Sequence, residues 1–270
     1  MARSPSARRD RSLGAVAIVV YLFLYAPIAV LVLMSFNGSG QSTTWGGFST
    51  KWYGELLDAD DLLDAFRNTV VIATVVTIVA TALGTLIAIG LARHVKSTAL
   101  DSLLFLPAVV PDLVLAIGLL SFFTLVGVSL GRTTVIASHV VFDMIFVAAI
   151  VRTRLGYFDP SVEEASQDLG ASRLATFVRV TLPLIAPGIA AGALVAFTLS
   201  FDEFIIAFFT SGPTSITFPI RVYSRIRFGL TPVINAIATV LLVVSFTLIL
   251  VALKVNGSAT RRAIQRAEAA

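Results

Sequence analysis

Of 270 residues, 57% are hydrophobic and 13% are charged. The mean hydropathy of +0.91 excludes an ordinary soluble domain, in which roughly 45–50% of residues are apolar. No cysteine is present, which rules out disulfides and thiolate-bound metals; the two histidines, His94 and His139, are too few for a histidine metal cluster, and the net charge of +4 matters less than where its basic residues stand along the chain.

A helix takes about 20 apolar residues to cross a hydrocarbon core of about 30 Å. Six runs qualify: 13–36, 68–91, 103–126, 135–151, 188–210 and 235–253. The first follows a basic head containing Arg3, Arg8, Arg9 and Arg11, as a secretory signal would. Its apolar part exceeds the roughly 7–15 residues of a signal core and no small-x-small site follows, so a retained anchor is expected. The expected fold is an all-α membrane protein, with one transmembrane domain over 13–256 between short tails, 1–12 and 257–270.

Lysine and arginine orient the spans. With the N-terminus in the cytoplasm, the inner segments hold fourteen of the 20 basic residues, among them Arg93, Lys96, Arg152, Arg154, Arg173, Arg179, Lys254, Arg261, Arg262 and Arg266. The outer segments hold Lys51, Arg67, Arg132, Arg221, Arg225 and Arg227, so both termini are expected inside. The outer segment 37–67 has an acidic run, Glu55, Asp58, Asp60, Asp61 and Asp64, which suits a solvated face. Trp45 and Trp52 stand where interfacial anchors belong.

Residues 160–183 form a polar insertion between the fourth and fifth spans, on the inner side. Asp159-Pro160-Ser161 has the pattern of a helix start, with proline at the first helical position and a capping box between Ser161 and Glu164. Val162, Ala165 and Leu169 share one face, leaving Glu163, Gln167 and Asp168 to the other, and Gly170 stops the helix. A second helix from about Ser172 carries Leu174, Phe177 and Val178 until Pro183 and Pro187 redirect the chain. The pattern predicts an amphipathic hairpin on the membrane surface.

The run EASQDLG at 164–170, nine residues, then VTLP at 180–183, resembles the EAA signature, EAA-x3-G-x9-I-x-L-P, of the permease subunits of binding-protein-dependent ABC importers. Ser166 and Val180 depart from it conservatively. The resemblance implies a type I importer transmembrane domain in which this hairpin docks into a cytoplasmic ATPase. Glu163, Glu164, Ala165, Asp168, Gly170 and Ala171 are then the coupling residues, with Leu182 and Pro183 setting the exit into the membrane. No G-x4-G-K-[ST] phosphate loop occurs in the chain, so no bound cofactor and no enzymatic step are expected of it; ATP and magnesium would belong to the ATPase partner.

Acids within spans cost about 2.5–3.5 kcal/mol on insertion scales and point to a pathway. Asp112 follows Pro111, whose ring, with that of Pro107, frees backbone carbonyls near mid-membrane. Asp143 lies in the fourth span; Asp202 and Glu203 lie about 21 Å up the fifth, pointing about 100° apart if helical. His139 is expected to be a packed, hydrogen-bonded side chain. All four acids are candidate pathway residues, Asp202 and Asp112 ahead of Glu203 and Asp143; the alternative is that they pair with basic side chains on neighbouring helices or on a partner permease.

From the third span onward, PDLVLAIGLL, SHVVFDMIFV, FTLSFDEFIIAFFTSGP and FPIRVYSRIRFGLTPVINAIATVLL are similar to spermidine/putrescine permeases, which implies a cationic solute. Relatives that handle iron or opines share much of the pattern. Implied partners are two ATP-binding subunits, a second and non-identical permease, an extracytoplasmic solute-binding protein that Arg221, Arg225 and Arg227 would meet, and the bilayer of a prokaryotic cell membrane, with no nucleic acid. The rival readings are a secondary transporter using an intramembrane acid as its ion site and a membrane scaffold.

Overall fold

The computed structural model describes residues 5–41, 44–93, 105–106, 109–157, 159–228 and 232–247. Arg3, His94, Lys96, Pro107, Lys254, Arg261, Arg262, Arg266 and the tail 257–270 lie outside them, as do 103–104 of the third expected span and 248–253 of the sixth. The helices are α1 Pro5–Ser35, α2 Lys51–Leu57, α3 Asp60–Arg93, α4 Asp112–Leu125, α5 Arg132–Gly156, α6 Ser161–Asp168, α7 Arg173–Asp202, α8 Ile205–Thr210, α9 Phe218–Phe228 and α10 Pro232–Thr247. Among the described residues there is no strand, only an isolated bridge between Asn37 and Phe48. α1, α3, α5 and α7 are long and apolar enough to cross a membrane, while α4 and α10 are shorter apolar helices.

The chain divides into two compact units, Asp61–Tyr223 and Met1–Asp60 with Ser224–Ala270. In the first, α5 is the central helix. Its Val147 and Val151 pack with Ile72, Val76 and Ala80 of α3 and Ile185 and Ala196 of α7. Two glycines allow this: a Cβ on Gly84 would lie 2.5 Å from the Met144 carbonyl oxygen, and one on Gly192 would lie 3.1 Å from Val147 Cγ1. Val147 is thereby wedged between α3 and α7, whose backbones come close because neither glycine carries a side chain. A smaller cluster of Ala116, Phe142 and Ile206 joins α8 to α4 and α5.

In the second unit, the apolar window of α1 has no buried residue. After α1, the Asn37 side chain ties the loop together. Its Nδ2 donates to the carbonyls of Gln41 and Thr44 at 3.0 and 2.7 Å, and its Oδ1 accepts from the amides of Ser39 and Gly46 at 3.1 and 2.7 Å. The expectation for Trp52 is corrected here: it is buried, and its indole N–H donates to the Asn37 carbonyl at 2.5 Å, so it closes this loop from inside instead of marking an interface. Trp45 is exposed.

Two spans expected to be continuous are broken. In the third, Pro111 is extended (φ −57°, ψ 134°) and α4 starts only at Asp112, because proline offers no N–H to a preceding turn. In the fifth, α7 stops at Asp202, Glu203 is extended (φ −67°, ψ 117°), and α8 begins at Ile205.

Candidate functional site

The hairpin is built by local capping. Asp159 Oδ1 accepts the Ser161 amide at 3.0 Å, and Pro160 is already helical, so the helix start is set by Asp159. The capping box expected of Ser161 and Glu164 does not form, since Ser161 lies inside the first turn. These hydrogen bonds hold the Asp159 carboxyl below its usual pKa. At the far end, Ala171 N–H bonds to the Ser166 carbonyl and Gly170 N–H to that of Gln167, a Schellman turn with Gly170 at φ +90° in the position that favours glycine. Ser172 Oγ then accepts the Ala175 amide at 3.2 Å and starts α7.

No residue of α6 is buried, and its apolar side chains face outward: Leu169 is 90% exposed and Leu174, at the start of α7, 72%. Glu164, Ala165, Asp168 and Gly170 are exposed, and Ala171 is half-buried. Glu163 departs from the docking face expected of it. Its carboxylate turns inward, where Oε1 accepts from the Arg93 guanidinium at the end of α3 and from the Thr181 hydroxyl. Neither partner had a readable role in sequence: Arg93 counted only toward orientation, and Thr181 occupies an unspecified position of the signature. Pro183 and Pro187 do not redirect the chain either. Leu182 and Pro183 lie inside one helical path from Arg173 to Asp202, because Phe177–Thr181 forms a π turn just before the first proline.

The four acids converge where α4, α5, α7 and α8 meet. Glu203 is within charge–charge range of Asp112, Asp202 and Asp143. Asp112 stands at the N-terminus of α4, where the helix dipole favours a negative charge. Asp202 is exposed, the last residue of α7. Glu203 is not a helical neighbour of Asp202 as expected; its Oε1 accepts the Ile206 amide at 2.9 Å and caps α8. Asp143 is buried in α5, and its Oδ2 has no hydrogen-bond partner among the described residues. One turn away His139 is buried too, its Nδ1 2.9 Å from Ser200 Oγ.

At the other end of α3 from Arg93 lies a polar cavity of about 590 Å³, lined by Asp61, Asp64, Arg67, Asn68, Arg132 and Arg221. Arg221 Nε is 3.6 Å from Asp61 Oδ2, and an Arg132 nitrogen is 2.6 Å from Asn68 Oδ1. Asp61 is therefore part of an ion pair and not only of a solvated face. Arg221 is half-buried; in the other unit Arg225 is half-buried and Arg227 exposed.

Residues 80–257 match the family described as binding-protein-dependent transport system inner membrane component. The chain belongs to that family. It is 38% identical over 239 residues to the spermidine/putrescine transport system permease protein PotC of Escherichia coli (strain K12), covering 88% of this chain and 90% of that one. It is 41% identical over 231 residues to the putrescine transport system permease protein PotI of the same organism, covering 82% of each. A bacterial ABC transporter involved in the import of the acidic polysaccharide alginate has the same fold, with a TM-score of 0.73 at 18% identity over 92% of this chain and 95% of that one. The chain is thus a multi-pass permease subunit of a binding-protein-dependent ABC importer, and the secondary-transporter and scaffold readings fall away.

Proposed function

We propose that this permease forms half of a pore with a second, non-identical permease, that two ATP-binding subunits drive it through the hairpin 160–183, and that it imports a polyamine-like cation. An extracytoplasmic receptor delivers the solute, and both termini lie in the cytoplasm. ATP and magnesium are held by the ATPase, and this chain makes or breaks no covalent bond. The carrying observation is the hairpin itself: a capped helix with no buried residue and with Leu169 and Leu174 turned outward has an apolar face that its own unit does not use. The acids support a cationic solute: Asp112, half-buried, and Asp202, exposed, lie near Glu203, and a cation there would relieve the mutual repulsion of these carboxyls. The names of the PotC and PotI relatives support the same class.

Purification of the chain with its genomic neighbours tests the first part: an ATP-hydrolysing subunit should co-purify, and its absence would refute the coupling. Uptake of labelled spermidine and putrescine, competed by iron complexes and opines, tests the second. Displacement by a neutral or anionic solute and by no polyamine would move the substrate out of the cation class.

A further inference from the structure

α6, the first helix of the hairpin, is held to its unit by side-chain hydrogen bonds. α6 buries no side chain, and its side-chain hydrogen bonds among the described residues run from Glu163 to Arg93 and Thr181 and from Ser166 Oγ to Thr176 Oγ1 at 3.2 Å. One atom, Glu163 Oε1, therefore joins three elements. Arg93 ends α3, a helix of 34 residues and about 51 Å that reaches the polar cavity at its far end. Thr181 is fully buried and closes the π turn of α7.

We propose that Glu163 is the positioning residue through which movement of the hairpin is passed to α3 and α7 together, and that it is not a contact for the ATPase. This rests on the coupling role proposed for 160–183. Apolar contacts are non-directional and allow surfaces to slide, whereas hydrogen bonds to an ionised carboxylate are directional and about twice as strong as neutral ones. A push on α6 is therefore resisted first at Glu163. A π turn is a single local departure from the α-helical ladder, so the segment next to Thr181 can change register without rebuilding the rest of α7. A cavity of about 310 Å³ lined by Arg93, Glu163, Gln167, Arg173 and Thr181 leaves room for that change.

The test uses the complete importer in proteoliposomes, comparing solute transported per ATP hydrolysed. Glu163→Gln keeps the size and a possible bond to Thr181 but removes the charge that holds Arg93. The ATPase subunit should co-purify at the wild-type ratio while transport per ATP falls roughly tenfold or more, the scale of one charge-assisted hydrogen bond. The exchange Glu163→Arg with Arg93→Glu should recover part of that loss, which a general loosening of the fold would not do. Thr181→Val keeps the shape, removes the other donor, and should lower the same ratio, which keeps the test available should Glu163→Gln fail to reach the membrane. Wild-type transport per ATP in both single variants would overturn the proposal. Loss of the ATPase from the Glu163→Gln complex would also overturn it, by making Glu163 a docking contact. A wild-type complex without any ATPase would instead overturn the coupling role on which the proposal rests.

Discussion

The amide of Leu182 donates to the carbonyl of Phe177, five residues back, and this bond immediately precedes Pro183. Proline cannot donate the next bond of an α-helical ladder. The wider π turn takes up the extra residue before that gap, and the helix continues to Asp202. Removing one residue of the turn, Val178, should restore an α-helical ladder and rotate the hairpin by about 100° around α7, taking Thr181 away from Glu163. The shortened protein is expected in the membrane at normal amount, with receptor-stimulated ATP hydrolysis reduced to the unstimulated rate. Full stimulation would show that hairpin orientation is not what matters.

Gly170 sits at φ +90° with no atom within 4 Å of where a Cβ would be. Any cost of substitution is therefore one of backbone conformation, about 1–2 kcal/mol for the left-handed region. Gly170→Val should loosen the Schellman turn and lower receptor-stimulated hydrolysis several-fold, while the melting temperature of the permease in detergent changes little. Unaltered stimulation would mean that the shape of this turn is not needed for docking.

At Gly84 the reason is steric. The Met144 carbonyl oxygen and Val147 leave no room for a Cβ, so Gly84→Ala must push α3 from α5 at a cost of about 1–3 kcal/mol. Gly90→Ala, on the same helix with nothing within 4 Å, is the control and should be neutral or slightly stabilising. Thermal unfolding in detergent distinguishes the two, and equal midpoints would contradict the wedge described for Val147.

Among the acids, Asp202 is exposed and Glu203 caps α8, so their neutral variants should differ. Asp202→Asn is expected to raise KM for a cationic solute on the order of tenfold, about 1.4 kcal/mol, without loss of thermal stability. Glu203→Gln should weaken uptake and keep its cap, since an amide oxygen can still accept the Ile206 amide. Uptake at wild-type KM by the Asp202→Asn protein would remove that residue from the pathway.

Asp159 provides a pH test of the hairpin start. Its pKa is lowered from about 3.8 by the hydrogen bonds of Ser161. A depressed carboxyl stabilises the folded hairpin above the unfolded value, and that contribution is lost as pH falls through the folded one. Amide exchange at Val162 to Glu164, corrected for intrinsic rates, should therefore rise as pH falls below about 3.8, and Asp159→Asn should remove this dependence. An unchanged pH profile in the variant would refute the cap.

The apolar runs and the EAA-like spacing were legible because each depends on chain order alone: run length selects a membrane helix, and a glycine after a short polar helix suits the left-handed turn that ends it. The polarity pattern misled at α6. It placed Glu163 with the outward residues, whereas Arg93, seventy positions earlier, draws its carboxylate inward. Trp52 was misassigned for the same reason, since the Asn37 carbonyl that takes its indole proton is fifteen positions away.

Sequence alone thus determined that this protein is a helical membrane protein with a polar hairpin between its fourth and fifth apolar runs, because solvent preference and local propensity act along the chain; that it is a permease was implied by the resemblance of its EAA-like motif and shown by its relatives. Only the tertiary structure decided which way Glu163 points, where the fifth span breaks, and that Asp112, Asp143, Asp202 and Glu203 share one region. Those outcomes depend on which distant backbones approach, as α3 and α7 do around Val147, and on which buried polar atoms must find partners once they have.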